Sequence, residues 1–139
     1  MQNIIYQGLV NSASPFFMKH FILFLVLSGL MAFKDITTVK SNLFIPAGEQ
    51  FHLGGGQNYD FRLEAKNLGQ YSVELFLENN GKQTPLGNLE KNQNARLVIP
   101  KNHSLVLNNK SKSRAHIKVH IKGKSENLGM YYSAAESEN

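Results

Sequence analysis

The stretch "AHIKVHIK", residues 115–122, alternates without a break: Ala115, Ile117, Val119 and Ile121 fall on one side, His116, Lys118, His120 and Lys122 on the other. A period of two is that of a β-strand, whose successive side chains point to opposite faces; helix faces repeat every 3.6 residues. Such a segment has one face for a core and one for solvent. "YDFRLEAKN" (59–67) repeats the pattern with Tyr59, Phe61, Leu63 and Ala65 inward. "YSVELFLE" (71–78) does so with Tyr71, Val73, Leu75 and Leu77 inward and Phe76 outward between glutamates. Shorter strands are expected at 42–45, 49–53, 84–89, 95–99, 104–107 and 130–132.

The breaks between these segments have turn chemistry. Asn80-Gly81 is a strong hairpin signal, because both residues tolerate positive φ. "LGGGQN" (53–58) and "NLGQ" (67–70) are glycine-containing turns, the first read as a flexible connection; "KNQN", "PKNH" and "NNKSKS" are polar interruptions. Pro46 and Pro100 stand at strand ends, and Pro85 suits an edge strand. About seven or eight short strands at intervals of roughly ten residues, without an amphipathic helix, predict an all-β fold: an antiparallel β-sandwich, jelly-roll or Ig-like. The cadence Ile45-Pro46-Ala47-Gly48-Glu49, continuing to Gly54-Gly55-Gly56, resembles the openings of many bacterial secreted β-sandwich modules. It is shared by unrelated sandwiches and singles out no family.

The N-terminal third reads differently. Phe21 to Phe33 is a thirteen-residue apolar run broken only by Ser28 and Gly29. As a helix it would extend about 20 Å, short of the roughly 30 Å hydrocarbon core of a bilayer, and it lacks the polar face of a core helix. Preceded by Met18-Lys19-His20, it has the basic start and short apolar centre of a secretory signal peptide, expected at 18–33. Residues 1–17 then read as an upstream extension from a misplaced start, 34–132 as the β-domain and 133–139 as a disordered acidic tail. With no cysteine to form a disulfide, an exported domain must rest on its own core. Secretion or a periplasmic location in a bacterium is the expectation, with no stable membrane span once the signal is cleaved.

Charge is uneven along the chain. Between residues 34 and 90 five Lys/Arg face seven acids, whereas residues 91–125 carry nine Lys/Arg and no acid. Arg96, Arg114, His116, Lys118, His120, Lys122 and Lys124 are therefore the candidate residues for an anionic partner, an envelope or extracellular protein or an anionic polymer. The competing reading of the same stripe is protection of an exposed sheet edge. Aromatic platforms for single-stranded nucleic acid are missing from the stripe, and no nucleic-acid partner is expected. Imidazoles gain charge below about pH 6.5, so acid should strengthen anion binding.

Other chemistries find less support. Four residues along a strand separate His116 from His120 by about 13 Å, too far for both to bind one metal at bonds near 2 Å; His52 or His103 would have to join them. The glycine run lacks the Lys-Ser/Thr and helix of a phosphate loop. There is no thiol and no Gly-x-Ser-x-Gly elbow. Glutamates are expected on wet faces with unshifted pKa values. No metal, cofactor or enzymatic activity is expected. Two alternatives to the binding protein fit the sequence. One is a carbohydrate-directed accessory module using Phe76, Tyr131 and Tyr132. The other is a small hydrolase, which needs a concave polar site that linear spacing does not reveal.

Overall fold

Wherever apolar and polar residues alternate, the chain forms a strand. The computed structural model describes residues 37–135 and contains nine strands there: β1 (Thr38–Ile45), β2 (Glu49–Gly54), β3 (Phe61–Asn67), β4 (Val73–Asn79), β5 (Lys82–Leu89), β6 (Asn94–Ile99), β7 (Ser104–Asn108), β8 (Ala115–Lys122) and β9 (Met130–Ala134). Each expected strand is found; β1 starts four residues earlier than expected. β9 runs to Ala134, past the expected domain boundary at 132. The expected upstream extension (1–17) and signal peptide (18–33) lie outside the described residues, as do residues 136–139.

The strands form two antiparallel sheets, a four-stranded sheet A in the order β1-β8-β3-β6 and a five-stranded sheet B in the order β5-β4-β7-β2-β9. The inward residues of both build one core. From sheet A it takes Leu43, Ile45, Phe61, Leu63, Ala65, Ile99, Ile117, Val119 and Ile121; from sheet B, Phe51, Leu53, Val73, Leu75, Leu89, Leu105 and Leu107. Each fully buried Leu or Ile contributes about 1.5–3 kcal/mol. Tyr71 departs from expectation: it precedes β4, is 56 % exposed, and offers its carbonyl to Asn67.

The edges and turns follow the local chemistry. Pro85 lies in β5, an edge strand of sheet B, beside a register shift that leaves Leu86 unpaired. Asn80 and Gly81 both adopt positive φ, as a two-residue hairpin requires. The connection after β2 is tied in place rather than flexible. Gly55 N–H donates to His103 O and to Gln57 Oε1, and a Cβ on Gly54 would lie 2.7 Å from His103 O.

All the crossings between the sheets except β8–β9 meet in pairs, and each pair is joined by one buried amide. Asn109 Nδ2 donates to Ile45 O and Pro46 O in the β1–β2 connection and to Ser113 O in the β7–β8 connection. Gln57 Nε2 donates to Pro100 O and His103 O, joining β2–β3 to β6–β7. Asn67 Nδ2 donates to Tyr71 O and Leu89 O, joining β3–β4 to β5–β6. All three are at most 1 % exposed. A buried backbone carbonyl needs a donor, and these side chains supply it where the sheet ladders end.

Candidate functional site

The register of sheet A decides what its outer face presents. β8 lies between β1 and β3, so its polar side chains stand in rows with theirs. One row is Thr38, Lys122, Arg62 and Val98; the next Lys40, His120, Glu64 and Arg96; the third Asn42, Lys118, Lys66 and Asn94. Lys40, Arg62, Lys66, Arg96, Lys118 and Lys122 are all exposed, and the only acid in these rows is Glu64. Because β8 is hydrogen-bonded on both sides, Lys118 and Lys122 do not protect an exposed edge; Arg96 and Lys40 stand on the edge strands β6 and β1.

Of the seven residues expected from the sequence, the fold gathers Arg96, His116, Lys118, His120 and Lys122 on this face. Arg114, just before β8, stacks its guanidinium over the Phe44 ring at 4.9 Å, and Phe44 stacks on His116 at 4.4 Å. His116 Nε2 also lies 3.1 Å from Asn42 Oδ1. Lys124 is exposed in the loop after β8 rather than in the rows. The sequence reading missed Lys40, Arg62 and Lys66. Arg62 and Lys66 are visible on the polar side of "YDFRLEAKN", but only pairing of β3 and β1 with β8 adds them to the stripe.

Glu64 organises the centre. Lys122 Nζ donates to its Oε1 at 2.9 Å, Arg96 Nε lies 3.5 Å from the same oxygen, and His120 Nδ1 lies 3.9 Å from Oε2. The hydrogen bond from Lys122, aided by the charges of Lys122, Arg96 and His120, holds this carboxyl below the usual carboxylate range despite some desolvation. The expectation that no glutamate is shifted is therefore corrected. A shallow groove of about 260 Å³ runs beside it, lined by Arg62, Arg96, Val98 and Lys122 among others.

Sheet B carries a different chemistry. Its outer face holds Glu74 and Glu78, and the row Phe76, Val106, His52, Tyr131. Tyr131 and Tyr132 point to opposite faces: Tyr131 stacks on His52 at 4.4 Å with planes 6° apart, while Tyr132 meets the core residue Phe51 edge-on at 4.9 Å. Phe76, Tyr131 and Tyr132 thus do not make one platform. His52, 5 % exposed, has Nε2 2.8 Å from Ser133 Oγ and Nδ1 3.8 Å from Glu78 Oε2. Burial pushes its pKa below the ordinary imidazole value, only partly opposed by Glu78. The order Ser133–His52–Glu78 is that of a nucleophile, base and orienting acid. However, the cleft beside Glu78 is lined by neither Ser133 nor His52, so a substrate held there would not meet the hydroxyl. Sequence spacing gave no sign of this cluster, which unites β2, β4 and β9.

Among the described residues no three metal-ligating side chains converge, and no helix is long and apolar enough to cross a membrane. In comparisons with known proteins, no family model matches the chain and no curated protein matches it.

Proposed function

We propose that this chain is an exported, non-catalytic β-sandwich that binds an anionic polymer of the envelope or extracellular space through the outer face of sheet A. The strand order supports a jelly-roll for the sandwich. Strands β1–β8 alternate between sheets ordered β1-β8-β3-β6 and β5-β4-β7-β2, only the β4–β5 hairpin staying within one sheet, and β9 is added beside β2. Export, to the periplasm or the medium, rests on the signal-like run at 18–33.

The observation that carries the binding reading is the register of the cations. Lys66 lies directly opposite Lys118, and Arg62 directly opposite Lys122. Like charges facing each other across a ladder destabilise a sheet, and a surface serving only solubility has no reason to keep two such pairs. Adjacent strands lie about 4.8 Å apart and alternate residues about 6.8 Å apart, so the six cations form a grid wider than any single small anion. That spacing suits a chain of repeated sulfate, phosphate or carboxylate groups.

Binding to immobilised heparin, as the polyanion probe, tests this. The protein should be retained at low salt and released as rising salt screens the grid. Combined Lys66→Gln, Lys118→Gln and Lys122→Gln should remove retention while the fold persists. Retention insensitive to salt, or unchanged in the triple variant, would overturn the reading.

A further inference from the structure

At the end of sheet B opposite the Asn109 junction, the β4–β5 hairpin and the β6–β7 turn frame a cleft of about 280 Å³. It is lined by Glu78, Asn80, Asn102, Ser104 and Tyr131, and its glycine backbone includes Gly54 and Gly55. We propose that this cleft binds one neutral pyranose ring. This site is independent of the basic face on sheet A.

The size fits: small-molecule sites usually hold roughly 300–1,000 Å³, so this one takes a single small ring. The polar groups fit as well. A carboxylate accepts, two amides donate and accept, and a serine hydroxyl does either, which matches the mixed donor–acceptor rim of a sugar. Among the described residues no Lys, Arg or His lines the cleft, so Glu78 disfavours an anionic ligand there. Tyr131 adds an aromatic surface, 51 % exposed, with one ring face covered by His52. The exposed part of the ring gives a sugar's C–H groups an apolar surface at the cleft rim.

These groups are held before any ligand arrives. Asn80 and Asn102 sit at positive φ in two tight turns. Gln83 Nε2 donates to Glu78 Oε2 at 3.0 Å, leaving Oε1 to accept from a ligand hydroxyl. His52 braces both recognition elements, stacked beneath Tyr131 and 3.8 Å from Glu78, while Ser133 holds its far nitrogen. Its Nδ1 is buried with no hydrogen-bond partner. A side chain that nine-tenths of its surface hides, with an unpaired nitrogen turned toward the cleft carboxylate, is a cost that support of a binding site explains.

The test is an amide-shift NMR titration of the folded chain with methyl glucoside, galactoside and mannoside, and with trisaccharides built from each. Saturable shifts of Gly54, Gly55, Gly81 and Asn102 by at least one sugar are expected. Equal affinity for methyl glycoside and trisaccharide would assign a free sugar as the ligand; tighter trisaccharide binding would assign the end of a glycan. Tyr131→Ala, at an exposed position, should weaken binding about tenfold, whereas Tyr131→Phe should retain it. Glu78→Gln should weaken it by a similar factor, because hydrogen bonds to a charged acceptor are the stronger ones. The Lys66/Lys118/Lys122 variant should bind sugar as wild type does, which separates this proposal from the polyanion reading. No cleft shifts with any of these sugars, or shifts that survive Tyr131→Ala unchanged, would overturn it.

Discussion

Replacing Asn109 by Ala is the most direct probe of how the sandwich is held together. The side chain is fully buried and makes five hydrogen bonds: donated to Ile45 O (3.0 Å), Pro46 O (3.1 Å) and Ser113 O (2.8 Å), and accepted from Ser111 N–H (3.1 Å) and Ser111 Oγ (2.7 Å). Alanine leaves the Ile45 carbonyl buried without its donor, a cost of about 1–3 kcal/mol. The other four bonds are partly accessible to replacement water, and they bring the total to about 3 kcal/mol. For a domain of this size each kcal/mol moves Tm by about 4–8 °C, so a fall of about 12–24 °C is expected. Adjacent Asn108 is the control. It is as buried, but it makes one hydrogen bond, to Glu74 Oε2 at 2.9 Å, and its Oδ1 has no partner. Asn108→Ala should cost about 1 kcal/mol, because removing the unpaired oxygen offsets part of the lost bond. Urea unfolding followed by far-UV circular dichroism reads both variants. Equal destabilisation by the two would show that burial of an amide, not its bridging of two crossings, sets the cost, and the account of the corners would fail.

Glu64→Gln removes the only acid from the cationic rows and releases Lys122 and Arg96, so elution from heparin should move to higher salt while stability hardly changes, the pairs being exposed. Elution at lower salt would mean that Glu64 positions the cations rather than masking them. The depressed pKa of His52 makes stability depend on pH: the unfolded chain binds the proton first, so this contribution is complete above about pH 6.5 and is lost as pH falls through the lower folded-state value. His52→Phe, which keeps a ring beneath Tyr131, should flatten the difference in unfolding free energy between pH 7.5 and 5.5; an undiminished difference would assign it to other groups.

Strand positions were legible because alternation is a local property. "AHIKVHIK" specifies both the strand and the residues it buries, and Asn80-Gly81 specifies its own turn. What alternation does not encode is which strand lies beside which. Lys40, Arg62 and Lys66 belong to the basic face only because β8 pairs with β1 and β3. In the sequence they sit among acids that strand pairing sends elsewhere, Glu74 and Glu78 to sheet B. Gln57, Asn67 and Asn109 were unreadable for a related reason. Each looks like an ordinary polar turn residue, and its burial follows from a second connection more than twenty residues away. Tyr71 shows the opposite error: it continues an alternating pattern past the point where the strand begins.

The outer face of sheet A, unlike that of sheet B where His52 and Val106 are buried, also explains how a sandwich can hold a dense cluster of like charges at little structural expense. Sheet A contributes to stability mainly through its inward residues, so its exposed outward rows are free to hold arrangements that local energetics disfavours. Opposed Lys66 and Lys118 repel in every folded molecule, yet in water that repulsion is small beside the burial of Ala65, Ile117 and Val119 on the same two strands. The sign of a stability change therefore carries functional information. If Lys66→Gln and Lys118→Gln leave the domain as stable or make it more so while removing polyanion binding, the repulsion is kept for the ligand that relieves it. If they destabilise it, the lysine stems are packing elements of the sheet, and the face owes its charge to structure.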